Sequence, residues 1–313
     1  MIPVTELWNN GIVHPLINAL VFLYDVLFHD FGVAIVVLTV VLRIALYPLF
    51  LQQLRSTRAQ QEIAPAMAEL RKTYKDDRQR LAEEQMKLYR ERGVNPMSGC
   101  LPLLIQMPIL FGLYSALSQV GCGLGIVGGG VGGAGCPGLT AEQFDSIRYG
   151  AVPNPIPPGG TLDTHSVFVP WGAGLAHVDP LHLVPVLAAA VTLVSSLMTA
   201  PAKQPASDDP TARTMSMMVW YTPVITLVFG WNLPAGLSLY WIVTTLFSVG
   251  QQWLTSGWGR LGAMIPWLEE HLPSPSKRQM QREEEEIERE AARDMSTMSR
   301  NAKTERKRRR RRR

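Results

Sequence analysis

The chain has 313 residues, of which 47% are hydrophobic and 18% charged, and its formal net charge is +4. Its mean hydropathy of +0.06 is that of an ordinary soluble protein, but five windows that together hold 100 residues contain a single charged side chain, Arg43. Each window has about the 20 residues that an α-helix needs to cross a bilayer. The sequence therefore predicts an all-α polytopic membrane protein and excludes a soluble enzyme, a disulfide scaffold and a disordered chain. The predicted transmembrane helices are 31–51, 101–120, 181–200, 215–233 and 235–254.

The N-terminal segment, residues 1–30, precedes the first predicted span. Its apolar stretch 11–28 is interrupted by Pro15, Asn18 and Asp25. This pattern favours an interfacial helix on the outer membrane surface over a sixth span. The segment lacks the basic region and small-residue cleavage site of a signal peptide. We therefore expect neither a signal peptide nor a transit peptide, and a bacterial plasma membrane location in preference to an organelle.

Arg43 lies near the middle of the first predicted span, where an arginine costs about 2.5–3.5 kcal/mol on insertion scales. No other predicted span holds an acidic residue that could neutralise it. The side chain could snorkel toward the cytoplasm, or a water-filled cavity between the helices could hydrate it. We favour the cavity because the spans carry further polar side chains, although each alone fits an ordinary helix contact. These are Thr39, Gln106, Ser195, Ser196, Thr244 and Thr245.

Residues 52–98 connect the first two spans and are rich in strong helix formers. Apolar side chains recur at helical spacing on both sides of an interruption at 74–77, and Gly93 to Pro96 end the second stretch. We predict a cytoplasmic helical hairpin. Two roles remain open, a surface that faces a partner or the membrane and a solvated connector.

The loop 121–180 holds ten glycines between Gly121 and Gly138. It is not predicted to bind phosphate, because no Lys-Ser/Thr pair follows the glycines. Together with the proline-rich stretch 153–158, this composition predicts a flexible outer linker. Cys122 and Cys136 could form a disulfide or remain unpaired. The histidines lack partners at ligand spacing, so no metal site and no cofactor are expected; they are His165, His177 and His182.

The basic residues are concentrated in two segments, ten in 52–100 and fifteen in 277–313, whereas 121–180 holds only Arg148. The positive-inside rule therefore places the N-terminus outside and the C-terminus in the cytoplasm. Residues 255–313 form a predicted basic cytoplasmic tail that ends in six arginines. Three readings of this run remain open: attraction to ribosomal RNA, attraction to anionic lipid, and a solvated terminus that only enforces topology.

An unpaired positive charge in a cavity open to the cytoplasm indicates a negative ligand that arrives from that side. The ligand could be a transported anion or the polar flank of a polypeptide crossing the membrane. Anion transporters usually contain internal repeats. Here the segments around spans one and two do not recur around spans three to five. The polypeptide is therefore favoured, and an anion transporter or channel remains the alternative.

Three motifs in order carry a family resemblance over about residues 30–255. They are Leu-Arg-Ile-Ala-Leu-Tyr-Pro-Leu at 42–49, Asn-Pro at 95–96 followed by Gly-Cys-Leu-Pro-Leu-Leu-Ile-Gln-Met-Pro-Ile at 99–109, and Leu-Pro-Ala-Gly-Leu at 233–237 with Leu-Tyr-Trp at 239–241 and Gln-Gln at 251–252. Together they resemble the YidC/Oxa/Alb family of membrane protein insertases. The chain resembles the five-helix core form of that family.

The resemblance implies an insertase and not an enzyme. Such a protein inserts nascent membrane proteins into the lipid bilayer without a cofactor, alone or with the Sec translocon, and the ribosome becomes an expected partner of the tail. Arg43 would be the arginine of the groove, with Thr39, Tyr240 and Trp241 contacting substrate. Ser196 stands where many members carry a glutamine, so an amide at that position is not carried over. With the polar side chains above, the expected groove residues are Arg43, Thr39, Gln106, Ser195, Ser196, Tyr240, Trp241 and Thr244.

Overall fold

The structure, a computed structural model, describes residues 4–75, 77–93, 101–122, 138–171, 174–200, 210–255 and 257–275. In these ranges the chain is mostly helical, with isolated bridges in place of β-strands, which confirms the all-α prediction. The helices are α1 (Val4–Trp8), a π-helical segment (Asn9–Val13), α2 (His14–Val26), α3 (Phe31–Ala45), α4 (Tyr47–Thr73), α5 (Arg78–Glu91), α6 (Leu101–Cys122), α7 (Ala141–Ile147), α8 (Leu183–Thr199), α9 (Pro210–Gly230), α10 (Ala235–Thr255), α11 (Gly259–Met264) and α12 (Pro266–His271).

Among the described residues, no single helix is both long and apolar enough to cross a membrane by itself. One pair of consecutive helices meets that requirement together, Thr5–Val26 and Phe31–Ala45, with a bend of 120° between them. Two shorter apolar helices cover Leu183–Thr199 and Val219–Gly230. The count of five spans therefore stays a prediction.

The window predicted as one helix over 31–51 is two helices. α3 ends at Ala45, and α4 begins at Tyr47 with Pro48 in its first turn. Proline has no backbone N–H to donate and disfavours helical geometry in the residue before it, so a new helix starts there more easily than an old one continues. The break at Leu46 makes residues 47–51 the first turn of a 27-residue helix that continues into the predicted hairpin.

That hairpin has a sharp turn. α4 ends at Thr73, and α5 begins at Arg78 after Asp77, whose carboxylate accepts a hydrogen bond of 3.0 Å from the Arg80 backbone N–H. This is the usual way in which an aspartate satisfies a free donor at a helix start. On α4, Ile63 and Met67 are buried at a spacing of four residues, so one face of the helix is covered.

The N-terminal helix packs into the centre of the molecule. Val13, Ile17, Leu20 and Val21 are completely buried, at spacings that place them on one face of the helix. They share an apolar core with residues of α3, α6 and α10, while α8 and α9 pack against each other and α8 also packs against α10. The membrane depth of this helix, predicted to be interfacial, stays a prediction.

Asn18 is a polar residue in the apolar N-terminal helix, and its side chain bonds to the backbone of another segment. Its side-chain amide donates to the carbonyl of His14 at 2.8 Å and to that of Ile147 at 3.0 Å, and its oxygen accepts from the Tyr149 N–H at 2.8 Å. Asn18 thereby satisfies the backbone where α7 ends and joins the outer loop to α2.

The outer loop is compact in its described part. Leu139, Phe144 and Leu175 are completely buried in the main core, and α7 starts with a reciprocal capping box between Thr140 and Gln143. The flexible linker predicted from glycine and proline content is therefore wrong for residues 138–171, because inward-facing apolar side chains anchor the chain. The prediction for Cys136 and the glycine cluster falls outside the described residues.

Asp30 connects this loop to the start of α3. One carboxylate oxygen accepts from the backbone N–H groups of Gly32 and Val33 at 2.8 and 3.0 Å, and the other accepts from Val167 at 2.7 Å. Burial raises the pKa of Asp30, but these hydrogen bonds and one from Ser166 outweigh it and hold the pKa below its ordinary value. Gly32 permits the close approach, since a Cβ there would overlap the Ser166 side chain.

The predicted tail begins with folded structure. After α10, the chain turns at Gly257 and Gly259, both in the left-handed region. α11 then packs against α8, and α12 packs against α11. A Cβ at Gly259 would collide with the carbonyl oxygen of Met198, so only glycine fits. The assignment of 255–313 to a basic cytoplasmic tail stays a prediction; its residues 257–275 are folded, and the arginine run lies outside the described residues.

We predict that Asn18→Ala lowers the stability of the protein in detergent by about 1–3 kcal/mol, because the Ile147 carbonyl and the Tyr149 N–H lose their partner in a partly buried position. Thermal unfolding followed by circular dichroism measures the effect. Asn10→Ala is the matched control, since that side chain is exposed in the π-helical segment that precedes α2. Equal melting temperatures for the two variants would contradict the anchoring role.

Candidate functional site

Arg43 lies on the buried face of α3. Ile35, Thr39 and Arg43 follow each other at intervals of four residues, which places them on one side of the helix. Thr39 is buried, and Arg43 is only 7% exposed. The Thr39 hydroxyl donates to the Ile35 carbonyl at 2.6 Å, so its hydrogen is used within α3. The side chain of Arg43 thus points toward the other helices.

Phe50 covers the Arg43 guanidinium. The central carbon of the guanidinium lies 4.2 Å from the centre of the Phe50 ring, a cation–π distance. Phe50 reaches this position because the break at Leu46 starts a new helix just before it. Among the described residues, no carboxylate lies within ion-pair distance of Arg43. A ring face attracts the charge but accepts none of the five N–H donors of the guanidinium, which still require water or a ligand.

Gln106 and Tyr240 form a polar link between α6 and α10. The Gln106 amide donates a hydrogen bond to the Tyr240 hydroxyl across 134 positions of sequence. Tyr240 is buried and lies near Arg43, on a helix that packs against α3. Four of the predicted groove residues thus meet around one position: Arg43 and Thr39 from α3, Gln106 from α6 and Tyr240 from α10.

The other predicted residues lie farther along or on other faces. Thr244 is one helical turn beyond Tyr240, and its buried hydroxyl lies near the Tyr240 hydroxyl without the geometry of a hydrogen bond in the described part of the chain. Ser195 and Ser196 are half-buried on α8, and Trp241 is half-buried on α10. No contact described by the structure joins these three side chains to Arg43.

Two contacts of this region were not predicted from the sequence, although Gln252 belongs to the third motif. One is the contact of Phe50 with Arg43. The sequence indicates it only by an aromatic residue seven positions after Arg43, beyond Pro48. The other is a polar contact between α8 and α10, where the Gln252 amide donates to the Thr199 hydroxyl at 2.7 Å. Nearby on α10, the Gln251 nitrogen and the Gln252 oxygen are buried without partners in the described structure. Polar side chains thus continue along α10 beyond Thr244.

The three histidines of the outer loop have other contacts. His165 lies 2.6 Å from Asp163, His182 stacks on Trp231 with ring centres 4.0 Å apart, and the carbonyl of His177 accepts from the Ala235 N–H. In the ranges that the structure covers, no group of three potential ligands is placed to hold a metal ion.

Comparison with known proteins assigns the chain to a family. Residues 22–259 match the family model described as 60Kd inner membrane protein. The membrane protein insertase YidC 2 of Bacillus anthracis is 33% identical over 257 residues, which cover 81% of this chain and 82% of the relative. The chain belongs to the YidC/Oxa/Alb family. This confirms the resemblance carried by the three sequence motifs.

Other members differ in length. The membrane protein insertase MisCA of Bacillus subtilis is 30% identical, with 80% of this chain and 79% of MisCA aligned. The YidC insertase of Syntrophus aciditrophicus is 33% identical, and the aligned region covers 79% of this chain but only 36% of the relative. A crystal structure of an active YidC insertase, 26% identical, aligns over 81% of this chain and 48% of its own, with a TM-score of 0.48. The family and the names of these relatives support an insertase function in the inner membrane.

The contact between Gln106 and Tyr240 predicts a measurable coupling. Tyr240→Phe and Gln106→Leu each leave one buried polar group without its partner, whereas the double variant removes both. We therefore expect the double variant to be more stable than the sum of the single effects, with a coupling of about 0.5–3 kcal/mol. Urea unfolding in detergent measures it, and Tyr114→Phe on α6 controls for the loss of a phenol. Strict additivity would show that the contact does not stabilise the protein.

Proposed function

We propose that this protein inserts nascent membrane proteins through a hydrated groove that opens to the cytoplasm and to lipid and is closed to the exterior. Arg43, Thr39, Gln106 and Tyr240 line its centre, and Thr244, Ser195, Ser196 and Trp241 extend it. The observation that carries the proposal is the Arg43 guanidinium, which is buried with an aromatic face as its neighbour and has no carboxylate beside it in the described structure.

A guanidinium stays protonated in proteins, so it must find an electrostatic partner wherever it is buried. In this groove water serves as the resting partner, and the acidic flank of a substrate replaces it for a short time. The groove also shortens the distance that this flank travels through hydrocarbon. The apolar segment of the substrate then moves sideways into lipid, and the burial of its apolar surface drives the step without nucleotide hydrolysis.

The orientation follows from charge. The basic segments 52–100 and 277–313 lie in the cytoplasm, and the loop around α7 lies outside. Asp30 caps α3 and also accepts a hydrogen bond from the Val167 N–H of the outer loop. This connection supports a groove that is closed on the exterior side. The chain works in a bacterial plasma membrane, alone or beside the Sec translocon, and the ribosome that delivers the substrate docks on the cytoplasmic face.

Substitution of Arg43 tests the groove. We expect Arg43→Ala to slow insertion of substrates with acidic translocated tails about fivefold more than that of substrates with neutral tails, because a charge pair in a wet site contributes about 1 kcal/mol or more. Arg43→Lys should be tolerated, since the Phe50 ring also attracts an ammonium group. Insertion into proteoliposomes that contain each variant measures the difference.

If Arg43→Lys lowers substrate insertion as much as Arg43→Ala does, a specific guanidinium contact is required. The mechanism based on a charge in a hydrated groove would then be wrong. A photo-crosslinker at Thr39 or Tyr240 that fails to capture a ribosome-stalled membrane protein would favour the anion transporter instead.

The arginine run of the tail gives a second test. Residues 303–313 carry nine Lys or Arg and one Glu. Both ribosomal RNA and anionic lipid attract such a run, and both attractions weaken with salt. We expect deletion of 303–313 to reduce co-sedimentation of the detergent-solubilised protein with ribosomes at low salt, without anionic lipid present. Unchanged co-sedimentation would leave lipid attraction or topology enforcement as the role of the run.

A further inference from the structure

Several large apolar side chains are exposed at the end of the molecule where α3 and α8 begin and α9 ends. Val167, Phe168 and Trp171 belong to the outer loop and are 69%, 46% and 41% exposed. Leu181 precedes α8, Trp231 follows α9, and both are also exposed. Exposed apolar groups that cluster in this way on a folded protein mark a surface that another apolar phase covers. We call these five residues the outer apolar rim.

The loop holds its rim residues in a fixed orientation. The Val167 N–H donates to Asp30 at 2.7 Å, and the Phe168 N–H donates to the Ser166 hydroxyl at 3.2 Å. The next residue, Val169, turns inward and is buried in the core. Val167 and Phe168 are therefore exposed by a chain that is anchored on both sides of them.

Trp171 is fixed at its polar edge. Its indole N–H donates to Asp179 at 2.9 Å, and the same carboxylate accepts from the Leu181 and Val184 N–H groups at the start of α8. The ring is thus attached to the first turn of a predicted span. An indole whose N–H is bonded inward and whose face is exposed suits the boundary between water and hydrocarbon.

The rim is continuous with apolar faces of two predicted spans. On α8, Leu183, Val186 and Leu187 are exposed, and on α9 the exposed residues next to Trp231 are Val228 and Phe229. The stacked rings of His182 and Trp231 join the two helix ends. In a membrane protein of this family, apolar helix faces exposed in this way contact lipid, so the rim lies where that contact reaches the outer surface.

We propose that the outer apolar rim inserts into the boundary between headgroups and acyl chains of the outer leaflet, so that lipid is its partner. The proposal rests on the orientation given under the proposed function, which places this loop outside. Trp and other large apolar side chains are stabilised at that boundary, whereas charged ones are not. Asp163 and His165, the exposed charged and titratable side chains that precede the rim segment, pair with each other.

The anchor fixes the depth of Arg43. Asp30 binds the rim segment and caps α3, and Arg43 is thirteen residues further along, which is about 20 Å along the helix axis. The hydrocarbon core is about 30 Å thick. With the rim at the outer boundary, the Arg43 backbone lies about 10 Å from the cytoplasmic boundary, within reach of water entering from that side. The outer loop thus holds the groove charge in the inner half of the bilayer.

Site-directed spin labelling of the full chain tests the anchor. Cys100, Cys122 and Cys136 are replaced by Ser, and one cysteine is introduced as Val167→Cys or Phe168→Cys. The protein is reconstituted in phosphatidylcholine and phosphatidylglycerol nanodiscs with no other membrane protein. Glu142→Cys, on the exposed side of α7 in the same loop, is the matched control. Relaxation by oxygen and by a water-soluble nickel chelate reports whether each label lies in lipid or in water.

We expect oxygen to relax the labels at 167 and 168 at least threefold more than nickel does, and the reverse at 142. Nickel accessibility at 167 and 168 equal to that at 142 would overturn the anchor. Protection of these labels only after addition of a protein partner would also overturn it, since the rim would then bind protein.

A second measurement tests the consequence for depth. The exposed residue Ile44, next to Arg43, carries the label as Ile44→Cys with and without Val167→Asp and Phe168→Asp. We expect the acidic substitutions to change the oxygen-to-nickel ratio at position 44, and an unchanged ratio would contradict the depth-fixing role. Substrate insertion by the labelled protein without the acidic substitutions is assayed in parallel. Loss of insertion with oxygen-accessible rim labels would contradict the proposed function and still support the anchor.

Discussion

A permanent charge inside an apolar helix bundle is the constraint on which this structure depends. The guanidinium of Arg43 stays protonated, and the spans offer no carboxylate for it. The fold responds with an aromatic ring from α4, a phenol from α10 and an amide from α6. All three groups interact with a cation or with each other without neutralising it. A site that leaves a charge attracted but not neutralised is suited to binding a negative group for a short time.

The end of the molecule that we propose faces the exterior is organised differently. There three polar side chains each join a loop to a helix, although the buried Gln119 oxygen near the end of α6 has no hydrogen-bond partner in the described structure. Asn18 satisfies the backbone after α7, Asp30 binds both α3 and the loop at Val167, and Asp179 binds Trp171 and the start of α8. Polar groups that satisfy each other make a rigid wall, whereas the partly unsatisfied groups around Arg43 and Thr244 leave room for water. This difference between the two ends supports the proposed groove, which is closed to the exterior and hydrated around Arg43.

The sequence predicted the features that depend on local pattern. Apolar windows located the helices, and Arg43 stood out because a lone charge among 100 residues is costly in lipid. Sequence patterns did not predict the features that depend on contacts between residues far apart in the chain. Gly and Pro content suggested a flexible outer loop, but Leu139 and Phe144 anchor it in the core. The contact of Phe50 with Arg43 depends on the direction that the chain takes after Leu46, and the link between Gln106 and Tyr240 joins residues 134 positions apart. No periodicity encodes either contact.

The break at Leu46 has a mechanical consequence. α4 is 27 residues long, so it extends about 40 Å from that break, and Phe50 lies only about 6 Å along it. A rotation of about 10° at Leu46 would therefore move the far end of α4 by about 7 Å and the Phe50 ring by about 1 Å. The helix acts as a lever that pivots at Leu46, and its short arm ends at the Phe50 ring beside Arg43. A weak force applied at the distant end of α4 would therefore reach the contact between Phe50 and Arg43 as a small displacement with a larger force.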